Sequence, residues 1–184
     1  MKTGAILLWI FLLIVTDQAV KLIIYHYYLD CNFEIIPGLF DFKPVFNDKH
    51  SYVNVLLNQH TGINMGLWIH LLIFLLSEII ILVLYGFFRT LSEKTKLLDT
   101  GIVFQAAGFI CALTGNLIWK EGTLDFIYLK PLFVFDLKDV YVDCFTVLLL
   151  IYLLKNKTKL KGSAFKDITA FAGNKLRKIK LKRE

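Results

Sequence analysis

AILLWIFLLIVTDQAVKLIIYHYY, residues 5–28, is an apolar run long enough to cross a bilayer, yet it carries Asp17 and Lys21 one helical turn apart. A spanning helix needs roughly 20 apolar residues, with a range of about 17 to 25. The run qualifies only if both charges face protein or water. An ionisable group at membrane depth is costly, so it is usually paired, faces a polar cavity and marks a functional site. The four-residue spacing also lets the two form a purely structural ion pair, and the spacing alone leaves both readings open.

Three more apolar segments follow, at residues 67–88, 101–119 and 140–154. The middle two are long enough outright. The last is short and must begin near Asp139, inside the interfacial zone. With 57% hydrophobic residues and a mean hydropathy of +0.61, the 184-residue chain is too apolar for an ordinary soluble domain. The expected fold is an all-α membrane protein. It comprises a four-transmembrane-helix bundle over residues 1–156, a small extracytoplasmic β-sheet within residues 29–66, and a basic amphipathic cytoplasmic tail over 157–184.

Charge gives the orientation. The net +6 is concentrated at the C-terminus, where eleven Lys or Arg residues from Lys155 onward meet only Asp167 and Glu184. The link between the second and third runs carries Arg89, Lys94 and Lys96. The positive-inside rule makes both regions cytoplasmic, as an even number of spans requires. Residues 29–66 and 120–138 then face outward. The alternation Phe40-Asp41-Phe42-Lys43, with Pro37-Gly38 and Pro44 as punctuation, reads as strand on the membrane surface. Residues 120–138 alternate in part, with Gly122 and Pro131 as turn signals. In the tail, Phe165, Ile168, Phe171, Ala172, Leu176 and Ile179 recur at roughly helical spacing. That suits an interfacial helix on an anionic leaflet; the alternative is a partly disordered basic tail. Adjacent anionic lipid accounts for the basic charge, so no nucleic-acid partner is expected.

A signal peptide ending at a lipidated Cys31 fits poorly, because Tyr28-Leu29-Asp30 is bulky and charged rather than small. Cys31, Cys111 and Cys144 lack metal-ligand spacing, and Cys111 and Cys144 read as packing residues. No structural disulfide, metal or cofactor is expected. The chain has no His-Glu-x-x-His zinc pattern, no Gly-x-Ser-x-Gly elbow and no phosphate-binding glycine loop.

What remains is aspartate. Asp125 and Asp139 flank a turn-rich connection near the outer interface. Two carboxylates brought together cannot both ionise easily, so one keeps a proton. Such a pair can activate water with one member and protonate a leaving group with the other. The competing reading makes Asp139 a helix N-cap and Asp125 a solvated loop residue. Asp143, one turn beyond Asp139, can replace or orient a member of the pair. Glu78 and His70 can share a face of the second run, with Glu78 as a hydrogen-bonding group within the bundle.

Six short motifs in order carry a resemblance. Asp17-Gln18-Ala19-Val20-Lys21, Ile36-Pro37-Gly38-Leu39-Phe40 and Val45-Phe46-Asn47 are followed by Gly115-Asn116-Leu117-Ile118. Leu124-Asp125-Phe126-Ile127 and Phe135-Asp136-Leu137-Lys138-Asp139 complete the set. Over residues 5–155 the chain resembles the lipoprotein signal peptidase (signal peptidase II) family of four-helix membrane aspartic peptidases. The resemblance implies Asp125 and Asp139 as the catalytic pair. Asp17, Lys21, Asn47, Asn116, Lys120, Asp136 and Asp143 would bind substrate or support the pair. It implies lipid-modified prolipoprotein signal peptides as substrates and a bacterial cytoplasmic membrane location, with the active site facing outward. A monomer in contact with anionic lipids is expected. The chain departs from the family pattern after the outer sheet, where Asn47-Asp48-Lys49-His50-Ser51-Tyr52 stands for Asn-x-Gly-x-Ala-Phe, and at four further positions. Trp119-Lys120 stands where the family has Asp-Arg, and Asp136 and Lys138 stand where it has Asn and Ala. Lys is not equivalent to Arg where a planar fork matters. Asp136 adds negative charge beside the pair, which Lys138 and Lys120 can offset. A non-catalytic relative that binds lipid-modified peptides, or a transporter or assembly factor using Asp17, Lys21 and Glu78 as a polar relay, are the competing functions.

Overall fold

The computed structural model of the chain describes residues 1–48, 52–63, 65–91, 95–119, 121–157 and 167–173. Among the described residues, three helices are long and apolar enough to cross a membrane: α1 (Thr3–Tyr27), α3 (Leu67–Leu91) and α4 (Lys96–Ile118). A shorter α2 (Tyr52–Thr61) precedes α3, and α5 (Leu137–Lys155) closes the bundle with 19 residues. The burial pattern is inverted relative to a soluble protein. In α1 the buried residues are Asp17, Lys21 and Ile24, while Leu7, Leu8, Trp9 and Phe11 are each more than half exposed. In α3 the buried residues are His70, Glu78 and Phe87. Charge inside and leucine outside is stable only where the surrounding solvent is lipid.

Helix α4 is the centre of the bundle, packing against α1, α3 and α5. Close approach of α5 depends on Gly108. A Cβ there would lie 3.0 Å from Val142 Cγ2 and 3.1 Å from the Lys138 carbonyl oxygen. Small residues at such crossings let backbones pack tightly without a hydrophobic drive. Two tyrosines fasten α5 to its other neighbours. Tyr141 Oη donates to the Leu13 carbonyl at 3.2 Å and Tyr152 Oη to the Phe88 carbonyl at 2.9 Å.

The sheet draws on two connections, the one after α1 and the one after α4. Strands β1 (Phe33–Ile36), β2 (Phe40–Asn47), β3 (Thr123–Leu129) and β4 (Phe133–Phe135) pair antiparallel in the order β1-β2-β3-β4. The alternation at Phe40 to Lys43 correctly marks a strand. Its register with β3 slips between Phe42 and Val45, where Lys43 and Pro44 form a bulge. Proline has no amide hydrogen to give a ladder, so within a strand it belongs at such a bulge.

The expected β loop at about 29–66 is strand only as far as Asn47. Beyond Asn47 the segment turns into α2, where Val53, Leu56 and Leu57 carry helical spacing. Asn54 closes that segment: its Nδ2 donates to the Met65 carbonyl at 3.2 Å and its Oδ1 accepts from Met65 N at 2.9 Å. The remaining sheet partners come from 123–135, a contact between segments far apart in sequence. In the tail only 157 and 167–173 are described; the Phe171 ring meets Phe87 edge-on at 5.9 Å. Phe165, Leu176 and Ile179 of the expected amphipathic face lie outside the described residues.

Candidate active site

Asp125 reaches the site from β3 and Asp139 from the first turn of α5. Asp125 is buried, not the solvated loop residue of the competing reading, with only 3% of its surface exposed. It lies opposite Val45, and Asn47 pairs with Thr123 on the same ladder. That diagonal lets Asn47 Nδ2 donate to Asp125 Oδ2 at 3.2 Å. The neighbouring turn keeps Asn47 in place: a Cβ on Gly122 (φ +101°) would sit 2.4 Å from the Asn47 carbonyl oxygen. Only glycine fits that approach and that backbone angle.

Asp139 is not the N-cap of α5; Asp136 is. Asp136 Oδ1 accepts from Asp139 N at 3.3 Å, and Asp139 Oδ2 accepts from Asp136 N at 3.1 Å. This reciprocal capping box satisfies two backbone donors at once and fixes the direction of the Asp139 carboxyl. Oxygens of Asp125, Asp136 and Asp139 come within 4.8 Å of one another. Three carboxylates so close need a cation. The Lys138 ammonium supplies it, with Nζ 2.8 Å from Asp125 Oδ1, 2.9 Å from Asp136 Oδ1 and 3.2 Å from Asp139 Oδ2.

Asp17 and Lys21 pair as the spacing allowed, at 3.0 Å, and the pair does more than hold itself. Lys21 Nζ also reaches Asp136 Oδ2 at 2.6 Å, and all three side chains are fully buried. Asp136 thus bridges two lysines, one from α1 and one from α5. A buried charge is tolerable only when paired in this way.

The charges set the protonation of the groups outside the apolar runs. Burial and the Asp136 charge push the Asp125 carboxyl above the usual carboxylate range, against the pull of Lys138 and Asn47. Burial, Asp136 and Asp125 push Asp139 up to about 7, with Lys138 opposing. Burial would raise Asp136 too, but Lys138 and Lys21 overcome it and hold that carboxyl below its ordinary value. Burial opposes the charge on Lys138, yet Asp136, Asp125 and Asp139 hold the ammonium firmly protonated. The expectation that Asp136 raises the pair while Lys138 offsets it agrees with these directions.

A cavity of about 430 Å³ opens on this cluster between α3, α4 and α5. Asn47, Asp125, Lys138 and Asp139 form its polar end, and Phe74, Phe109 and Val142 are among its apolar walls. Asp143 lines the cavity and is exposed, but it enters none of the ion pairs around Lys138. Asn116 is buried at the end of α4, where its Nδ2 donates to the Ala112 carbonyl at 2.8 Å; it is not among the cavity-lining residues. Lys120 lies outside the described residues. Glu78 accepts from Gln105 Nε2 at 2.9 Å, the bundle hydrogen bond expected of it. The ion pairs of Asp17 and Lys21 run instead to Asp136, so the described contacts do not link the three residues as a relay.

Sequence reasoning gave Lys138 an offsetting charge beside the pair but did not number it among the site residues. Its signal was present: a lysine flanked by aspartates at 136 and 139 at the mouth of a helix. Only the fold adds Asp125 to that group.

The family described as Signal peptidase (SPase) II matches residues 9–155. Two solved structures share the fold, both described as a bacterial membrane enzyme determined by the in meso method. The one at 2.3 Å resolution is 20% identical, with a TM-score of 0.61 over 89% of this chain and 96% of that one. The one at 1.9 Å resolution is 21% identical, with a TM-score of 0.62 over 85% of this chain and 96% of that one. Comparison with curated proteins gives no significant match. With the family match running from residue 9 of α1 to the end of α5 and taking in every residue of the carboxylate cluster, the chain belongs to the signal peptidase II family of aspartic peptidases.

Proposed function

We propose that this peptidase removes signal peptides from diacylglyceryl-modified prolipoproteins, using Asp125 and Asp139 as its catalytic pair. One observation carries the assignment of residues. Two carboxylates from separate elements, β3 and α5, converge at the polar end of a cavity whose remaining lining is mostly apolar, with Phe74, Phe109, Ala112, Phe133 and Val142 beside Ser77, Gln105 and Asp143. Lipid and signal helix then occupy the apolar part, while water and the scissile peptide meet at the carboxylates. Four spans with both termini in the cytoplasm, drawn from the Lys/Arg asymmetry, turn the sheet and the site outward.

The chemistry follows from the unequal environments of the two acids. Asp125, which accepts from Lys138 and Asn47, is the anionic member; Asp139 keeps the shared proton. Asp125 takes a proton from water as the water oxygen bonds to the scissile carbonyl carbon. Asp139 gives its proton to the carbonyl oxygen. The tetrahedral intermediate then collapses: Asp125 passes its proton to the leaving nitrogen as the C–N bond breaks, and Asp139 recovers one from the intermediate's hydroxyl.

The test is cleavage of a lipidated prolipoprotein by purified protein in detergent. Asp125→Asn and Asp139→Asn should each lose nearly all turnover, and the double variant should be little worse, because the pair acts as a unit. Full activity in Asp125→Asn refutes the assignment. A second reading, a relative that binds such peptides without cutting them, draws on the Lys138 ammonium standing between the two carboxylates. It predicts binding by the wild type with no product.

A further inference from the structure

We propose that Lys138 is a positioning residue for the peptidase reaction, an internal cation that, together with Asp136, sets the charge on the Asp125–Asp139 pair. The inference rests on the proposed function for its meaning in catalysis, but its electrostatic core can be read without turnover. Its geometric basis is the three contacts of one ammonium: 2.8 Å to Asp125, 2.9 Å to Asp136 and 3.2 Å to Asp139. An ammonium has three protons and no acceptor, so all three donors are committed to carboxylates. The side chain is 10% exposed, which leaves little water to compete.

Asp136 and Lys138 work as a compensating couple. Fully ionised, the cluster holds four carboxylates (Asp17, Asp125, Asp136, Asp139) and two ammonium groups (Lys21, Lys138). Removing Lys138 alone adds one uncompensated negative charge next to the pair. Removing the charges of both Asp136 and Lys138 leaves the total unchanged. The other titratable groups facing the cluster are Cys111 from α4 and Tyr141 and Asp143 from α5; from α1 they are Asp17 and Lys21 themselves. None of these supplies a second cation next to Asp125 among the described residues.

The sign of the effect follows. An opposite charge within about 4 to 6 Å favours the ionised carboxylate and lowers its titration by about one to three pH units. Without the ammonium, both protons of the pair bind more tightly, so both limbs of the pH–rate profile move to higher pH. Lys138→Met keeps the length of the side chain and removes the charge. Asp136→Asn/Lys138→Met restores the total charge, and asparagine still caps α5.

The experiment measures kcat/KM for the lipidated prolipoprotein from pH 4 to 10 in the wild type, Lys138→Met and the double variant. Alongside, the infrared C=O stretch of protonated carboxyl groups is titrated in the same three proteins. Lys138→Met should shift both limbs and the infrared titration upward by at least about one unit. The double variant should return most of that shift. A Lys138→Met profile superimposable on the wild type overturns the proposal, as does a shift the double variant fails to reverse. If the wild type does not cleave, the peptidase reading fails, while the infrared titration alone still decides the role of Lys138.

Discussion

Replacing Lys21 by methionine removes the only described cation in contact with Asp17 and one of the two in contact with Asp136. Its ammonium stands 3.0 Å from Asp17 and 2.6 Å from Asp136, with all three side chains at 0% exposure. Breaking a buried pair by deleting one partner costs about 3 to 5 kcal/mol, because the remaining charge stays buried. The penalty should fall mainly on Asp17. Asp136 keeps Lys138 at 2.9 Å, whereas among the described residues Asp17 keeps neutral partners alone, the Gln18 amide at 2.8 Å and the Cys111 thiol. In a domain of this size each kcal/mol moves Tm by about 2 to 4 °C. Lys21→Met should therefore lower the thermal midpoint in detergent by about 6 to 20 °C. Asp17→Asn/Lys21→Met, which removes both charges, should recover at least half of that loss. A drop of less than about 3 °C in the single variant, or a double variant as unstable as the single, refutes the view that this lysine neutralises a buried anion.

Asn47→Ala removes a hydrogen bond to a charged group, worth about 1.5 to 3 kcal/mol, so kcat/KM should fall roughly ten- to hundredfold with the fold intact by circular dichroism. Because Asp139 is raised to about 7, the folded state holds its proton more tightly than the unfolded chain. Its stabilising contribution is complete below about pH 4 and is lost as pH rises through about 7. Thermal midpoints measured from pH 4 to 8 should show that decline, and Asp139→Asn should flatten it; an unchanged slope refutes the assignment. A cysteine placed at position 41 should react with a membrane-impermeant reagent in intact cells, and one at position 170 only after permeabilisation. A tail labelled from outside reverses the topology drawn from the positive-inside rule.

The membrane class and the candidate residues were legible in the chain itself. Apolar runs of spanning length are a local property, and Asp17, Lys21, Asp125 and Asp139 declare themselves because lipid tolerates charge only where it has a use. The Asp17–Lys21 pair was legible for the same local reason, since one helical turn separates the two. The strand at residue 40 showed in alternation, and α2 was obscured because the apolar character of residues 29–46 drew the whole connection toward a β reading. The structure alone decided what depends on distant segments meeting. The pairing of β2 with β3 puts Asn47 on Asp125, and the capping box makes Asp136, not Asp139, the first anchor of α5. The packing of α1 and α5 on α4 brings Lys21 to Asp136 and leaves Lys138 between the two acids. Local propensity fixes which residues are costly to bury; only the tertiary fold determines which opposite charge each of them meets, since the Coulomb energy falls with a distance that no sequence spacing reports.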